Sequence, residues 1–382
     1  MVTLAPLSLT QAEVLMPDGL RRAPVHLDGA IIGDRPGRPV DLSGYLIVPG
    51  IIDLHGDGFE RHLAPRRGAI QSPGIGLTSL DAELAACGIT TAVLAQFFSW
   101  EGGMRGGDFA EAVADAVAGF DALTDLRVQL RLETHLIDDY DRVLRLIDRA
   151  GIGYVVFNDH LPHDALAAGK RPPRLTGQAL KSGRSPEAHL AFLHALHARG
   201  PEVPDALSDL AAALRDRAVR LGSHDDASPE RRTGLRRLGA DIAEFPETLS
   251  TAEAARAAGD KIIMGAPNVV RGGSHAGKVS ARDLIGAGLV DALVSDYHYP
   301  ALARAAFALV ADGLPLSEAW TLISTGPASV MGWHDRGRIE PGVRADLVMI
   351  ETATQTIRGT ISAGQISHLN GPLAARFLGA RA

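Results

Sequence analysis

The 382-residue chain is 46% hydrophobic and sets 38 Lys and Arg against 45 Asp and Glu, a formal net charge of -7. That balance argues against a nucleic-acid partner or a polybasic membrane binder, and the single Cys87 excludes an intramolecular disulfide framework. No apolar run approaches a membrane span and the start lacks the pattern of a signal peptide, so a cytoplasmic location with no membrane partner is expected.

Residues 1–49 hold short β-like pieces between turn signals such as MPDG and GDRPGRP. Eight apolar runs then alternate with helical stretches. They are GIIDLH from Gly50, ITTAVLA from Ile89, VQLRLET from Val128, YVVFND from Tyr154, VRLGSH from Val219, DIAEF from Asp241, KIIMG from Lys261 and DALVSD from Asp291. Strands alternating with helices imply parallel pairing through helical crossovers. Eight units over residues 50–331 predict an α/β fold of the (β/α)8 TIM-barrel type, with a doubly wound open sheet as the structural alternative. Residues 332–382 return to strands and turns, so 1–49 and 332–382 are expected to pair into one small β-sandwich domain. The stretch 161–186, rich in Pro, Gly and basic residues, is expected to be a loop outside the packed core, with the length of a functional lid.

In such a barrel the chemistry sits at the C-terminal strand ends. Those ends carry His55 and Asp57, then Glu133, then Asp159 and His160, then His224 with Asp225 and Asp226, then Glu244, Asn268 and finally Asp296. Two residues apart on a strand means the same face, which aims His55 and Asp57 at one spot. Imidazole nitrogen and carboxylate oxygen are ligands for Zn, Mn or Fe, so one or two divalent ions are expected. Glu133 has the chemistry to bridge two ions, and Asp296 that of a ligand and general base. Each residue also has a structural explanation: a lone histidine at a strand end is usually a hydrogen-bonded structural residue, and Asp225, Asp226 and Asp296 have the type that starts helices. The joint occurrence favours the metal. His135, His163, His275 and His298 are further candidates.

Gly272 to Lys278 has the G-x-x-x-x-G-K spacing of a phosphate loop, but Val279 stands where Ser or Thr would hold magnesium. A nucleoside-triphosphatase fold is rejected on that ground. Arg271, His275 and Lys278, with Arg61, His62, Arg66 and Arg67 after the first strand, still form two basic loops suited to an anion. A phosphorylated small molecule is therefore the expected substrate, and ordinary flexible loops with incidental charges the alternative.

The segments VPGIIDLHGD, DALVSDY and GRIEPGVRADLVMI resemble the amidohydrolase superfamily. Within it, PGIIDLHGDGFERHLAPRRG, FNDH, LGSHDDASPE, AEFPETL and MGAPNVVRGGSHAGKVSA are similar to the phosphonate-metabolism hydrolases of the carbon–phosphorus lyase pathway, over nearly the whole chain. That resemblance implies a barrel with one or two divalent metals. It also implies release of pyrophosphate from α-D-ribose 1-methylphosphonate 5-triphosphate. The ligands it implies are His55, Asp57, Glu133, His160, His224 and Asp296, with Asp57 replacing the second histidine of the superfamily's usual His-x-His. These ligands fall one strand earlier than the superfamily scheme for Glu133, His160 and His224, which suggests an additional strand before them. The chain departs from the family after FNDH, where it reads LPHDALAAGKRPPRL, and after SDY, where His298 and Tyr299 precede Pro300. A hydrolase of an amide, cyclic imide or amidine keeps the same site with a different scissile bond. A non-catalytic metal-binding protein would lack a ligand, and none is missing. Ser or Cys nucleophilic catalysis is disfavoured because no G-x-S-x-G elbow occurs. A homodimer is expected from base rates.

Overall fold

The computed structural model describes residues 6–66, 72–273 and 277–379. Eight strands form one sheet in consecutive order: Ile51–Gly56, Ile89–Phe98, Asp125–Glu133, Tyr154–Asn158, Arg220–His224, Ile242–Glu244, Lys261–Gly265 and Ala292–Val294. A parallel bridge between Gly56 and Asp296 brings the last strand back to the first. The sheet is thus a barrel, and the open-sheet alternative falls away. Every sequence-predicted strand is present. Among the described residues the sheet contains no strand beyond these, so Glu133 ends the third strand and the suggested additional strand is not there. All ten residues of Ile89–Phe98 are buried, as expected of a parallel strand covered on both faces.

Two compact units partition the chain, one of residues 1–93, 121–127 and 263–382, the other of residues 94–120 and 128–262. The first unit contains two further sheets. A six-stranded sheet has the order Gln365–Leu369, Thr356–Ser362, Leu347–Glu351, Tyr45–Pro49, Glu13–Met16, Gly19–Arg22. Leu347–Glu351 pairs antiparallel with Tyr45–Pro49, so both ends of the chain share it. A four-stranded sheet of Ile31–Gly33, Val25–Asp28, Leu7–Thr10 and Arg38–Asp41 packs on the same core, where Leu9, Leu27, Ile47, Leu347 and Met349 meet. Alternation makes this possible: Val25 and Leu27 are buried while Asp28 is exposed.

In the second unit, helices cover the strands. Tyr140–Ala150 buries Tyr140, Val143, Leu146 and Ile147, one helical stripe, and stops at Gly151 in the left-handed conformation with φ +65°. The stretch 161–186 differs from expectation. It forms helices His163–Ala167 and Leu175–Lys181, and Leu166 and Leu175 join the core of this unit. A few buried residues spaced along a polar run, Leu161, Leu166, Pro172, Leu175 and Ala179, were enough to dock it. Among the described residues, no helix is long and apolar enough to cross a membrane.

Behind the fifth strand, Arg232 is 1% exposed and pairs with Asp226 at 3.1 Å and Asp260 at 3.2 Å. Burial raises the Asp260 pKa, with Arg232 and Arg236 acting against it. Asp226 is thereby committed to structure, and Ser228, not Asp225 or Asp226, caps the helix Pro229–Arg237. Breaking a buried pair strands its partner charge. Arg232→Ala is expected to lower the unfolding free energy by about 3–5 kcal/mol, read from urea titration; a midpoint equal to wild type would contradict this account of the core.

Candidate active site

In the first unit the site is built on the bridge that closes the barrel. The Asp296 N–H donates to the His55 carbonyl at 2.9 Å, and the Asp57 N–H donates to the Asp296 carbonyl at 2.8 Å. Backbone pairing therefore brings His55, Asp57 and Asp296 together. Asp296 sits at φ +55°, a conformation that a β-carbon disfavours and that concentrates at functional sites. Behind it, the fully buried Asp53 accepts the Ser295 N–H at 3.0 Å, the His55 N–H at 3.3 Å and the Ser295 hydroxyl. Burial raises the Asp53 pKa; its bonds from Ser295 and His55 pull the other way. Gly56 is required here: a β-carbon would stand 2.7 Å from Asp53 Oδ2 and 2.7 Å from Tyr299 Cε1.

The basic residues divide. Arg61 donates to the Tyr297 carbonyl at 3.1 Å and lies 5.6 Å from the Tyr299 ring centre, while Arg271 lies 6.0 Å from that of Tyr297. Both guanidinium groups thus flank the segment that follows Asp296. Arg61 also donates to Glu83, whose other oxygen faces His62 Nε2 at 2.5 Å, so His62 is turned toward the helix Pro73–Ala86. Lys278 is exposed, and His275 and Arg67 lie outside the described residues. Asn268 accepts the Ala281 N–H at 3.0 Å and anchors the start of the helix Ala281–Gly286. The His298 N–H donates to the Ser295 carbonyl at 2.9 Å.

In the second unit the third barrel strand turns alternate residues inward. Gln129, Arg131 and Glu133 are buried polar groups between Leu130 and Leu132, which join the core facing the helices. Each inward group has a partner. Gln129 donates to Glu244 Oε1 at 2.7 Å, as does the Tyr154 hydroxyl at 2.7 Å. Burial, then the Glu244 charge, raises the Tyr154 pKa well above its ordinary value and keeps it a donor. Glu133 Oε2 accepts from Trp100 Nε1 at 3.2 Å and the His160 N–H at 3.1 Å, while Oε1 lies 2.5 Å from His160 Nδ1. Arg131 and His224 Nε2 are 2.8 Å apart, and His224 Nδ1 is 3.2 Å from Glu244 Oε2.

These contacts fix tautomers. Arginine only donates, so His224 Nε2 accepts from Arg131 and its Nδ1–H donates to Glu244. Glu133 holds His160 by Nδ1 and leaves Nε2 to a ligand, with the side chain 35% exposed; a carboxylate behind an imidazole is the usual support of a metal-binding histidine. The donor set therefore suits a divalent ion at His160. At His224 the guanidinium of Arg131 holds Nε2, so ligation through that nitrogen requires Arg131 to turn away, whereas Nδ1 faces the Glu244 carboxylate. Asp225 and Phe245, just past the fifth and sixth strands, both have φ +55°, matching the strain at Asp296.

Glu133 and His160 thus belong to one polar group and His224 to another, with their rings 6.4 Å apart between the centres of His160 and His224, while Asp159 and His163 face each other instead. Sequence reasoning missed Trp100, Gln129, Arg131 and Tyr154, and gave Glu244 no role. The signal for two of these, Gln129 and Arg131, was the alternation Gln129-Leu130-Arg131-Leu132-Glu133, which places polar groups on one strand face.

A family model described as the amidohydrolase family matches residues 106–368. The alpha-D-ribose 1-methylphosphonate 5-triphosphate diphosphatase of Escherichia coli (strain K12) is 34% identical over 323 residues, 81% of this chain and 84% of that protein. N-acetylglucosamine-6-phosphate deacetylase from Pasteurella multocida superposes with a TM-score of 0.63 at 12% identity, over 95% of this chain and 100% of its own. Beta-aspartyl dipeptidase from Fervidobacterium islandicum AW-1 gives 0.60 at 14%, over 96% and 97%. At those identities the structural likeness carries the fold alone.

Gly56→Ala is expected to destabilise the chain by about 1–3 kcal/mol through the forced shift of Asp53 and Tyr299. Denaturant unfolding at fixed pH checks this, and an unchanged midpoint would mean that the crowding around the bridge is relieved at no cost.

Proposed function

This chain belongs to the amidohydrolase family and is a hydrolase, and we propose that it is a metal-dependent diphosphatase that releases pyrophosphate from α-D-ribose 1-methylphosphonate 5-triphosphate. The observation that carries this reading is the identity to the bacterial diphosphatase across more than four fifths of both chains. Arg61 and Arg271, which flank Tyr297, support an anionic substrate.

We assign His55, Asp57 and Asp296, with Glu133, His160 and His224, as ligands of one or two divalent ions, Zn, Mn or Fe by donor type. Such an ion, when bound, supplies Lewis acidity that draws charge from phosphoryl oxygens and makes water a better nucleophile at neutral pH. Asp296 orients the attacking water and takes its proton, held ready by a backbone that the closing bridge fixes. Water oxygen bonds to phosphorus as the anhydride bond between the α and β phosphates breaks, leaving the 5-phosphate and pyrophosphate. Arg271, Lys278 and Arg61 offset the charge on the triphosphate. Glu133 also steadies His160 through its Nδ1.

Metal-reconstituted protein is expected to release pyrophosphate from this triphosphate, and a chelator to abolish release. Asp296→Asn should lower kcat by about 100-fold or more with an unchanged melting temperature; undiminished turnover removes Asp296 as the base. Arg271→Ala combined with Lys278→Ala should raise KM about tenfold, the loss of one good charged contact, while metal content stays constant. An unaffected KM would remove the basic loop from substrate binding. Hydrolysis of a dihydropyrimidine or an N-acyl amino acid alone would assign the chain to C–N bond cleavage instead.

A further inference from the structure

We propose that His135, Asp159 and His163 form a second divalent-metal site in the second unit, distinct from the Glu133, His160 and His224 set, with His197 as the support behind His163. One donor atom from each of the three ligands lies within 4.8 Å of the others. Asp159 Oδ1 is 3.0 Å from His163 Nε2 and 3.6 Å from His135 Nδ1. Ligand atoms around a tetrahedral ion at about 2.0–2.2 Å sit ~3.3–3.6 Å from one another. The three groups already stand close to those spacings.

Two further features point to a cation. His135 is 5% exposed, and its Nδ1 has no hydrogen-bond partner. A buried polar atom left unanswered calls for a ligand, ion or water. His163 Nδ1 is 2.8 Å from His197 Nδ1, so one of the two nitrogens donates and the other accepts. With His163 Nε2 on a metal, its Nδ1–H donates to His197, which is how ligating imidazoles are oriented. His197 is therefore a positioning residue.

Position in the fold explains the convergence. His135 follows the third strand, Asp159 follows the fourth, and His163 opens the short helix His163–Ala167. The cation facing this group is Arg231, 3.9 Å from Asp159 Oδ2 and 3.5 Å from Asp226 Oδ1. Asp159 faces His163 Nε2 with both oxygens, Oδ1 at 3.0 Å and Oδ2 at 3.1 Å, and Oδ1 is the one that also faces His135. The group opens on a cavity of about 440 Å³ that Phe157, Val203 and Leu207 also line. Three protein ligands leave a fourth position facing that space, open to water or a small ligand. Two imidazoles and one carboxylate select a zinc-like ion over magnesium or calcium.

The inference does not rest on the proposed substrate. Chelator-stripped protein is titrated with Co²⁺, followed by visible absorption and by metal content per chain. Wild type is expected to bind one equivalent more than His163→Ala or His135→Ala, which lose the same absorption band. His55→Ala combined with His224→Ala keeps that band. His197→Ala retains the site with affinity lowered about 10- to 100-fold. If His163→Ala does not fold, His163→Asn, which keeps a polar contact to Asp159, serves in its place. Equal stoichiometry and equal spectra in wild type, His163 and His135 variants overturn the proposal, as does millimolar binding that these substitutions do not change. Absence of pyrophosphate release leaves the Co²⁺ readout intact, so that failure is separate from this one.

Discussion

Among the described residues the barrel closes through one bridged pair, and three of the residues proposed as metal ligands stand at that pair. Gly56 and Asp296 form an isolated parallel bridge, carried by the His55 carbonyl, the Asp296 N–H and carbonyl, and the Asp57 N–H. The strand pairing that ends the fold therefore also sets where His55, Asp57 and Asp296 stand. Asp53 reinforces it from beneath by taking hydrogen bonds from both strands. Neither closure nor site can be altered alone: whatever loosens the first strand from the last also moves the residues assigned to the metal. The left-handed backbone of Asp296 is the local cost of that geometry.

A different constraint governs the other unit. Three consecutive inward positions of one strand are polar, and each buried polar group must find a partner. Gln129 finds Glu244, Arg131 finds His224, and Glu133 finds His160. Each pairing fixes the tautomer or rotamer of the side chain it reaches across the strands. Such a network holds imidazoles in place with little freedom, which is what ligation requires. It also engages both ring nitrogens of His224, Nε2 by Arg131 and Nδ1 by Glu244.

Most of the fold was legible because its signals are local. Eight β-branched runs such as ITTAVLA and YVVFN announce buried strands, and turn residues separate them. The pairing of the two chain ends was legible from their shared strand-and-turn character. The segment 161–186 departs from expectation because composition is a poor guide when a few residues, here Leu161, Leu166, Pro172, Leu175 and Ala179, supply the burial. For the candidate site, residue types at strand ends were visible, but partners were not. Nothing in the local sequence ties His62 to Glu83 or Trp100 to Glu133, since those contacts join residues 21 and 33 positions apart. Nor does any spacing rule reveal that Arg131 meets His224, 93 positions on. The strain at Asp225, Phe245 and Asp296 was equally hidden, because none of these types favours a left-handed backbone strongly enough to be noticed.

The most direct measurement is ³¹P NMR of the products when metal-loaded protein meets α-D-ribose 1-methylphosphonate 5-triphosphate. Cleavage at the anhydride bond proposed above gives pyrophosphate and the ribose 5-phosphate in equal amounts, with the phosphonate resonance retained. Orthophosphate as the first product, or an unchanged triphosphate under conditions where an amide is hydrolysed, would contradict it.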